Sequence, residues 1–192
     1  MSNDMLHADD RKTIVRDAYR TVGSTEGTVA CKLYSPEQLA EVPRSARDFA
    51  LGVGNHMVFA PIRPGDVVLD IGCGGGIDTV LAARATGPTG KVYALDFLPE
   101  MLARTRAVAA EAGVEGVVET VEGEMEAIPL PDRSVDVIVS NGVINLSPRK
   151  SRVFAECGRV LRPGGRFCVS DITIVEDQLP TEVLVHPSAW AG

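Results

Sequence analysis

The stretch VVLDIGCGGGID, residues 67–78, decides the fold. It opens with a short apolar run that is typical of a buried strand, passes through a glycine-rich turn, and continues into IDTVLAARA, which predicts a helix. The glycines follow a GxGxG pattern, and Ile77 stands where the dinucleotide fingerprint GxGxxG needs Gly or Ala. A P-loop is excluded because no Lys-Ser/Thr pair follows the glycines.

Two acids beside this turn favour a cationic ligand over a phosphate. A pyrophosphate prefers bare backbone N–H groups and positive potential, whereas Asp70 supplies negative potential just before Gly72 and Gly74. S-adenosylmethionine, which carries an ammonium and a sulfonium but no phosphate, suits such a turn. Its ribose needs an acceptor at the end of the next strand, KVYALD, and Asp96 stands there.

Further residues are placed to complete an adenosyl site. Phe97 and Met101 follow Asp96 and offer apolar faces for an adenine, and Glu124 and Met125 follow the third predicted strand. Asn141 ends the fourth strand, at the carboxyl edge where ligands bind in parallel sheets. The alternative is that the glycines serve only turn geometry and that the acids only cap helices or face solvent.

Strand and helix patterns alternate from residue 64 onward, which predicts an α/β fold. We expect a mostly parallel, twisted sheet with helices on both faces. The predicted strands are 67–71, 91–96, 117–123, 135–141 and, after an RPGG turn, 166–172; the predicted helices are 99–113 and 148–161. We divide the chain into an N-terminal helical lid (1–60), a cofactor-binding core (61–175) and a tail (176–192).

Composition narrows the function further. The chain has 192 residues and a net charge of −7, so it lacks the basic footprint of a nucleic-acid binder. Its four cysteines are scattered and no CxxC pair occurs, so we expect neither a disulfide framework nor a metal site. The polar start is no signal peptide and no apolar run is long enough to span a membrane, which together predict a cytoplasmic protein.

The segments DIGCGGG, LRPGG and SNGVINLSP, with LGVGN upstream, resemble the arsenite methyltransferase family of class I S-adenosylmethionine-dependent methyltransferases. The resemblance covers roughly residues 45–180 and implies a Rossmann-like fold, S-adenosylmethionine as the cofactor and a small-molecule methyl acceptor. It implies that the methionine end is held by Asp70, Gly72 and Gly74, the ribose by Asp96, and the adenine by Met101, Glu124 and Met125.

The chain departs from that family at its arsenic-binding cysteines. Val53 and Gly142 occupy two of those positions, and the chain ends before a third. Soft As(III) needs thiolates, which Val53 and Gly142 cannot supply. We therefore expect the methyl acceptor to be either arsenite or another small nucleophile. The alternative function is a cofactor-binding module with little catalysis. Candidate catalytic residues are Cys31 in an upstream loop, His56 beside LGVGN, and Tyr19, which could close over the cofactor.

The class I fold, as the resemblance implies, adds two strands after the fifth. Only 20 residues follow the SDI that ends the fifth predicted strand, so we expect these two strands to be missing and the fifth strand to form an edge. Three explanations stay open: the chain is a fragment, a second subunit of a homodimer covers the edge, or the acceptor half has been lost.

Overall fold

The computed structural model describes residues 8–21 and 24–172. Its helices are α1 (Ala8–Thr21), α2 (Thr28–Leu33), α3 (Pro36–Ala40), α4 (Arg44–Arg47), α5 (Ile77–Thr86), α6 (Pro99–Glu111) and α7 (Lys150–Val160). Its strands are β1 (Val67–Ile71), β2 (Lys91–Asp96), β3 (Val118–Glu122), β4 (Val135–Asn141) and β5 (Leu161–Ser170). Short 3₁₀ turns lie at His56–Val58 and Ile144–Leu146.

The five strands form one sheet in the order β3-β2-β1-β4-β5, and every neighbouring pair is parallel. This confirms the expected α/β architecture. The chain leaves β1 toward β2 on one side and later returns to β4 on the other. Because the connections diverge there, a crevice opens beyond the carboxyl ends of β1 and β4.

Helices cover both faces of the sheet, as the near-continuous apolar strands require. Alternate residues of β1 point to opposite sides: Val68 packs in one cluster with residues of α5 and α6, and Leu69 packs in another with residues of α7. Both side chains are fully buried, and each such burial contributes about 1.5–3 kcal/mol to stability. The two layers therefore fix the sheet between them.

The boundary of the fifth strand differs from the prediction. Strand β5 begins at Leu161, opposite Val135, and the next paired residues are Arg166 and Val137. The predicted RPGG turn is thus a bulge inside the strand, which suits Pro163 because proline has no N–H to give to a ladder. The strand also ends at Ser170 rather than at residue 172.

The short helices before the sheet pack onto its core. Ala30, Tyr34 and Ala46 are buried in the cluster that surrounds α5. Helix α3 begins at a capping box in which the side chains of Ser35 and Gln38 each accept from the other's backbone N–H. Residues 176–192, the expected tail, lie outside the described residues. In the part of the chain that the structure describes, no helix is long and apolar enough to cross a membrane.

Candidate functional site

A cavity that is open to solvent at its mouth lies at the carboxyl ends of β1, β2 and β4. Ile71, Asp96 and Asn141, each the last residue of one of these strands, line its floor. The cavity has the position at which parallel α/β sheets bind cofactors.

The glycine-rich turn forms one wall, and its backbone conformation explains the residue type. Gly72, Gly74 and Gly76 have φ values of 75°, 48° and 86°, a region that side chains with a β-carbon rarely adopt. A β-carbon on Gly72 would also lie 2.7 Å from both methyl groups of Val143. The turn therefore brings bare backbone to the cavity, and Gly76 leads directly into α5.

Asp96 joins the glycine turn to the end of β2. Its Oδ2 accepts from the Gly74 N–H at 3.1 Å and its Oδ1 accepts from the Leu98 N–H at 3.0 Å. Burial raises the pKa of Asp96, and these backbone donors oppose that shift. Each oxygen keeps lone pairs for a further donor, so the carboxylate can accept from vicinal hydroxyls while holding the turn.

Asp70 lies behind the cavity wall and does not contribute to its lining. It is 2% exposed, and its Oδ2 accepts from Thr79 Oγ1 at 2.5 Å. Burial, followed by the nearby charge of Asp78, raises the pKa of Asp70 to about 8. The structure thus places Asp70 behind the turn, and its contact with a ligand stays a prediction.

Asp78 is the carboxylate that lines the cavity beside the glycine turn. It lies in the first turn of α5, where a negative charge also suits the helix dipole. Tyr34 donates from Oη to Asp78 Oδ1 at 2.8 Å, and Asn141 donates from Nδ2 to Asp78 Oδ2 at 3.1 Å. Burial raises the pKa of Asp78, and His56 and the two donors oppose that shift.

Asn141 lies at the cavity floor, and its side-chain amide makes hydrogen bonds to other residues of the protein. Its Oδ1 accepts from the backbone N–H groups of Val53 and Gly54 at 2.9 and 3.3 Å, and its Nδ2 donates to the Gly54 carbonyl at 2.9 Å. A β-carbon on Gly52 would lie 2.7 Å from Asn141 Cγ. Asn141 therefore holds the LGVGN segment against the end of β4, and its contact with a ligand stays a prediction.

The predicted adenine residues lie together on the cavity wall. Phe97, Met101, Glu124 and Met125 all line it, at the ends of β2 and β3. Met101 and Met125 are mostly or partly buried and offer polarisable apolar surface. The sequence therefore brought these four positions together correctly, and their contacts with a ligand stay a prediction.

Helix α1 lies over the same end of the cavity. Tyr19 lines it, and the pKa of Tyr19 is raised by burial, with smaller contributions from the charges of Asp96 and Asp171. The Arg16 guanidinium lies 5.8 Å from the centre of the Phe97 ring, and Arg20 Nε lies 3.2 Å from Glu100 Oε1. The placement of Tyr19 agrees with the expectation that it covers the cavity.

Two of the three candidate catalytic residues do not reach the cavity. Cys31 is exposed on α2 and is absent from the lining. His56 is buried in the first 3₁₀ turn, with 3% of its surface exposed and neither ring nitrogen hydrogen-bonded. Burial lowers the pKa of His56, so its ring is neutral at pH 7. Neither residue is placed to act on a molecule in the cavity.

Sequence reasoning missed several residues of this site. Asp78 follows the glycines closely, so an acid in the first turn of the predicted helix was the available signal. Tyr34 and Phe49 come from the N-terminal segment, where no local pattern marks them, and Val143 and Ser147 follow β4 within the SNGVINLSP motif. Their roles depend on tertiary contacts.

A comparison with protein-family models matches residues 62–191 to a family described as "Methyltransferase domain". An arsenite methyltransferase of Halobacterium salinarum is 42% identical over 159 residues, which are 83% of this chain and 40% of that protein. A ubiquinone/menaquinone biosynthesis C-methyltransferase of Marinomonas sp. is 37% identical over 123 residues, 64% of this chain and 49% of that protein.

Among solved structures, an arsenic(III) S-adenosylmethionine methyltransferase from Chlamydomonas reinhardtii superposes with a TM-score of 0.69 and 36% identity, covering 80% of this chain and 53% of that one. The chain thus spans about half the length of these relatives, or less. The family model's residues 62–191 include the glycine turn and all five strands of the sheet. The fold is therefore the Rossmann-like one that the sequence predicted, and this chain belongs to the methyltransferase-domain family.

Proposed function

We propose that this chain binds S-adenosylmethionine in the cavity and acts as a methyltransferase on a small-molecule acceptor. One observation carries the proposal: Asp78 and Asp96 line a cavity whose glycine turn exposes bare backbone. Carboxylates at such a turn repel a phosphate and attract a cation. When bound, S-adenosylmethionine supplies a methyl group activated by the positive sulfur.

Each part of the cofactor is bound by a different group of cavity residues. Asp78 attracts the cationic methionine end beside Gly72 and Gly74. Asp96 accepts from the ribose hydroxyls while it holds the turn. The adenine lies among Phe97, Met101, Glu124 and Met125.

The protein's contribution to methyl transfer is orientation. Such a displacement gains most from holding the acceptor in line with the methyl group and from excluding water. Tyr19 on α1 and the LGVGN segment held by Asn141 both line the cavity, where they can exclude water from a bound cofactor. Asn141 acts here on the protein, as a positioning residue for that segment.

The acceptor side is apolar in this chain. Val53 and Gly142, where the family resemblance implies cysteines, lie against each other beside the cavity. Neither offers a thiolate, so this pair favours a nucleophile other than arsenite. The same observation supports the second candidate function, a cofactor-binding module with little catalysis.

Calorimetry with S-adenosylmethionine, S-adenosylhomocysteine and NAD tests the proposal. We expect both adenosyl ligands to bind and NAD to give no heat; the reverse pattern would refute it. Methyl transfer from radiolabelled cofactor to arsenite in the presence of thiol, compared with a panel of carbon, nitrogen and oxygen nucleophiles, then separates the enzyme from the binding module.

The assembly and cellular setting are also proposals. Within the described residues, β5 pairs only with β4, and Val169 and Ile172 beside its outer edge are exposed. Because uncovered edges invite further pairing, we propose a homodimer through this edge, which analytical ultracentrifugation tests. All four cysteines are free thiols, which supports a reducing cytoplasm as the working compartment.

A further inference from the structure

Tyr34 lies one step behind the cavity wall. Its side chain is 4% exposed, it is the residue that caps the C-terminus of α2, and it does not line the cavity. Its hydroxyl donates to Asp78 Oδ1 at 2.8 Å. Any effect of Tyr34 on a molecule in the cavity must therefore pass through Asp78.

Asp78 depends on this hydroxyl more than on its other donor. The second donor, Asn141 Nδ2, is shared among three acceptors: Asp78 Oδ2, Tyr34 Oη and the Gly54 carbonyl. An amide NH₂ has two hydrogens, so it cannot give a full hydrogen bond to each. Tyr34 Oη has one hydrogen, and it is directed at Asp78.

The surroundings of Asp78 oppose its negative charge. Asp78 is 6% exposed, so it is removed from the water that would stabilise its charge, and Asp70 on β1 is a second buried acid near it. Tyr34 and Asn141 are the hydrogen-bond donors on its two oxygens. A carboxylate in such a place keeps its charge only with the help of donors.

We propose that Tyr34 is a positioning residue whose hydroxyl orients the Asp78 carboxylate and keeps it ionised for the cationic end of the cofactor. The inference rests on the proposed function. Tyr34 itself stays protonated, because burial and the charge of Asp78 raise its pKa well above the usual range. It is therefore a permanent donor over the pH range in which proteins work.

The test is the affinity for S-adenosylmethionine, measured by calorimetry between pH 6 and pH 9, in the wild type and in Tyr34→Phe. We expect affinity about tenfold weaker in Tyr34→Phe at pH 7, the usual effect of losing a hydrogen bond to a charged group. The loss should shrink toward pH 9, because the Asp78 carboxyl of the variant ionises at higher pH. Tyr93→Phe removes a hydroxyl from β2, outside the cavity lining, and should leave the profile unchanged.

Two further variants keep the test decisive if Tyr34→Phe folds poorly. Asp78→Asn should flatten the pH profile, because it removes the titrating charge and lowers the pKa of Asp70. In that background Tyr34→Phe should weaken binding by less than twofold further. An equal loss at every pH, an additive double variant, or an unchanged profile in Asp78→Asn would each overturn the inference. Wild-type protein that binds no adenosyl ligand would instead refute the proposed function itself.

Discussion

A β-carbon built on Gly142 would lie 3.1 Å from Val53 Cγ1. The two positions come from segments far apart in the chain, and the structure places them side chain to side chain. Cysteines at both would therefore form a dithiol of the kind that captures soft As(III). We expect Val53→Cys/Gly142→Cys to bind arsenite at least tenfold more tightly than the parent, about 1.4 kcal/mol or more, by calorimetry under reducing conditions.

The control for this pair is Val53→Ser/Gly142→Ser. Gly142 has a φ of 75°, so either side chain adds backbone strain of about 1 kcal/mol there. The serine pair shares the strain and lacks the thiols. Equal arsenite affinity in the two double variants would show that this pair of positions is not an arsenic site.

Asp96→Asn should weaken the binding of S-adenosylmethionine and that of its neutral thioether product, S-adenosylhomocysteine, by similar amounts. The amide retains one acceptor oxygen, so one of the N–H groups of Gly74 and Leu98 loses its partner and the ribose contact weakens. We expect a loss of about 1.5–3 kcal/mol for both adenosyl ligands by calorimetry. Glu115→Gln, on the exposed turn after α6, should change neither affinity. Loss for one ligand alone would contradict a role at the ribose.

The buried Asp70 makes stability depend on pH. Its folded pKa of about 8 exceeds the unfolded value, so the folded state holds a proton that the unfolded state has released above pH 4. This contribution is present at low pH and is lost as the pH rises through 8. We expect the ligand-free protein to lose on the order of 2 kcal/mol of unfolding free energy between pH 6 and pH 9.

Denaturant unfolding at the two pH values measures this loss. Asp70→Asn keeps the shape and can still accept from Thr79, but it has no proton to release. The variant should therefore show a clearly smaller change between pH 6 and pH 9. A change as large as that of the wild type would assign the titration to other groups.

Gly52→Ala tests the close packing of the LGVGN segment. The new methyl group would overlap the Asn141 amide, which is held between two backbone donors and three acceptors. We expect thermal unfolding to show a loss of roughly 1–3 kcal/mol, as for overpacking in a core. Gly158→Ala is the matched control: nothing lies within 4 Å of its added methyl on α7, so helix propensity alone should stabilise it by about 0.5–1 kcal/mol.

Local patterns in the sequence were sufficient to predict the central sheet. Strands β1, β2 and β4 have the predicted bounds, because each is a short apolar run between a turn and a polar residue. The residues that end or follow those strands, among them Asp96 and Met101, also line the cavity as expected. Parallel strands place their carboxyl ends at one edge, so position in the strand implies position in space.

Other features had no local signal. The role of Tyr34 follows from a hydrogen bond to a residue 44 positions away, which no short window of sequence contains. Asp70 stands next to the glycines near the end of β1, yet Asp78, which follows the glycines, is the acid that lines the cavity there. The bulge in β5 depends on how Val135 and Val137 pair, and the RPGG segment alone reads equally well as a turn.

The strand order changes direction at β1, so the cofactor side and the acceptor side of the cavity are built from different strands. The residues proposed to bind the adenosyl group come from β1, β2 and the turns that follow them. Gly142 instead follows β4, and Val53 lies in the segment that Asn141 holds against β4. Substitutions at a few residues on the β4 side can therefore change the methyl acceptor, while the glycine turn on the β1 side is kept unchanged.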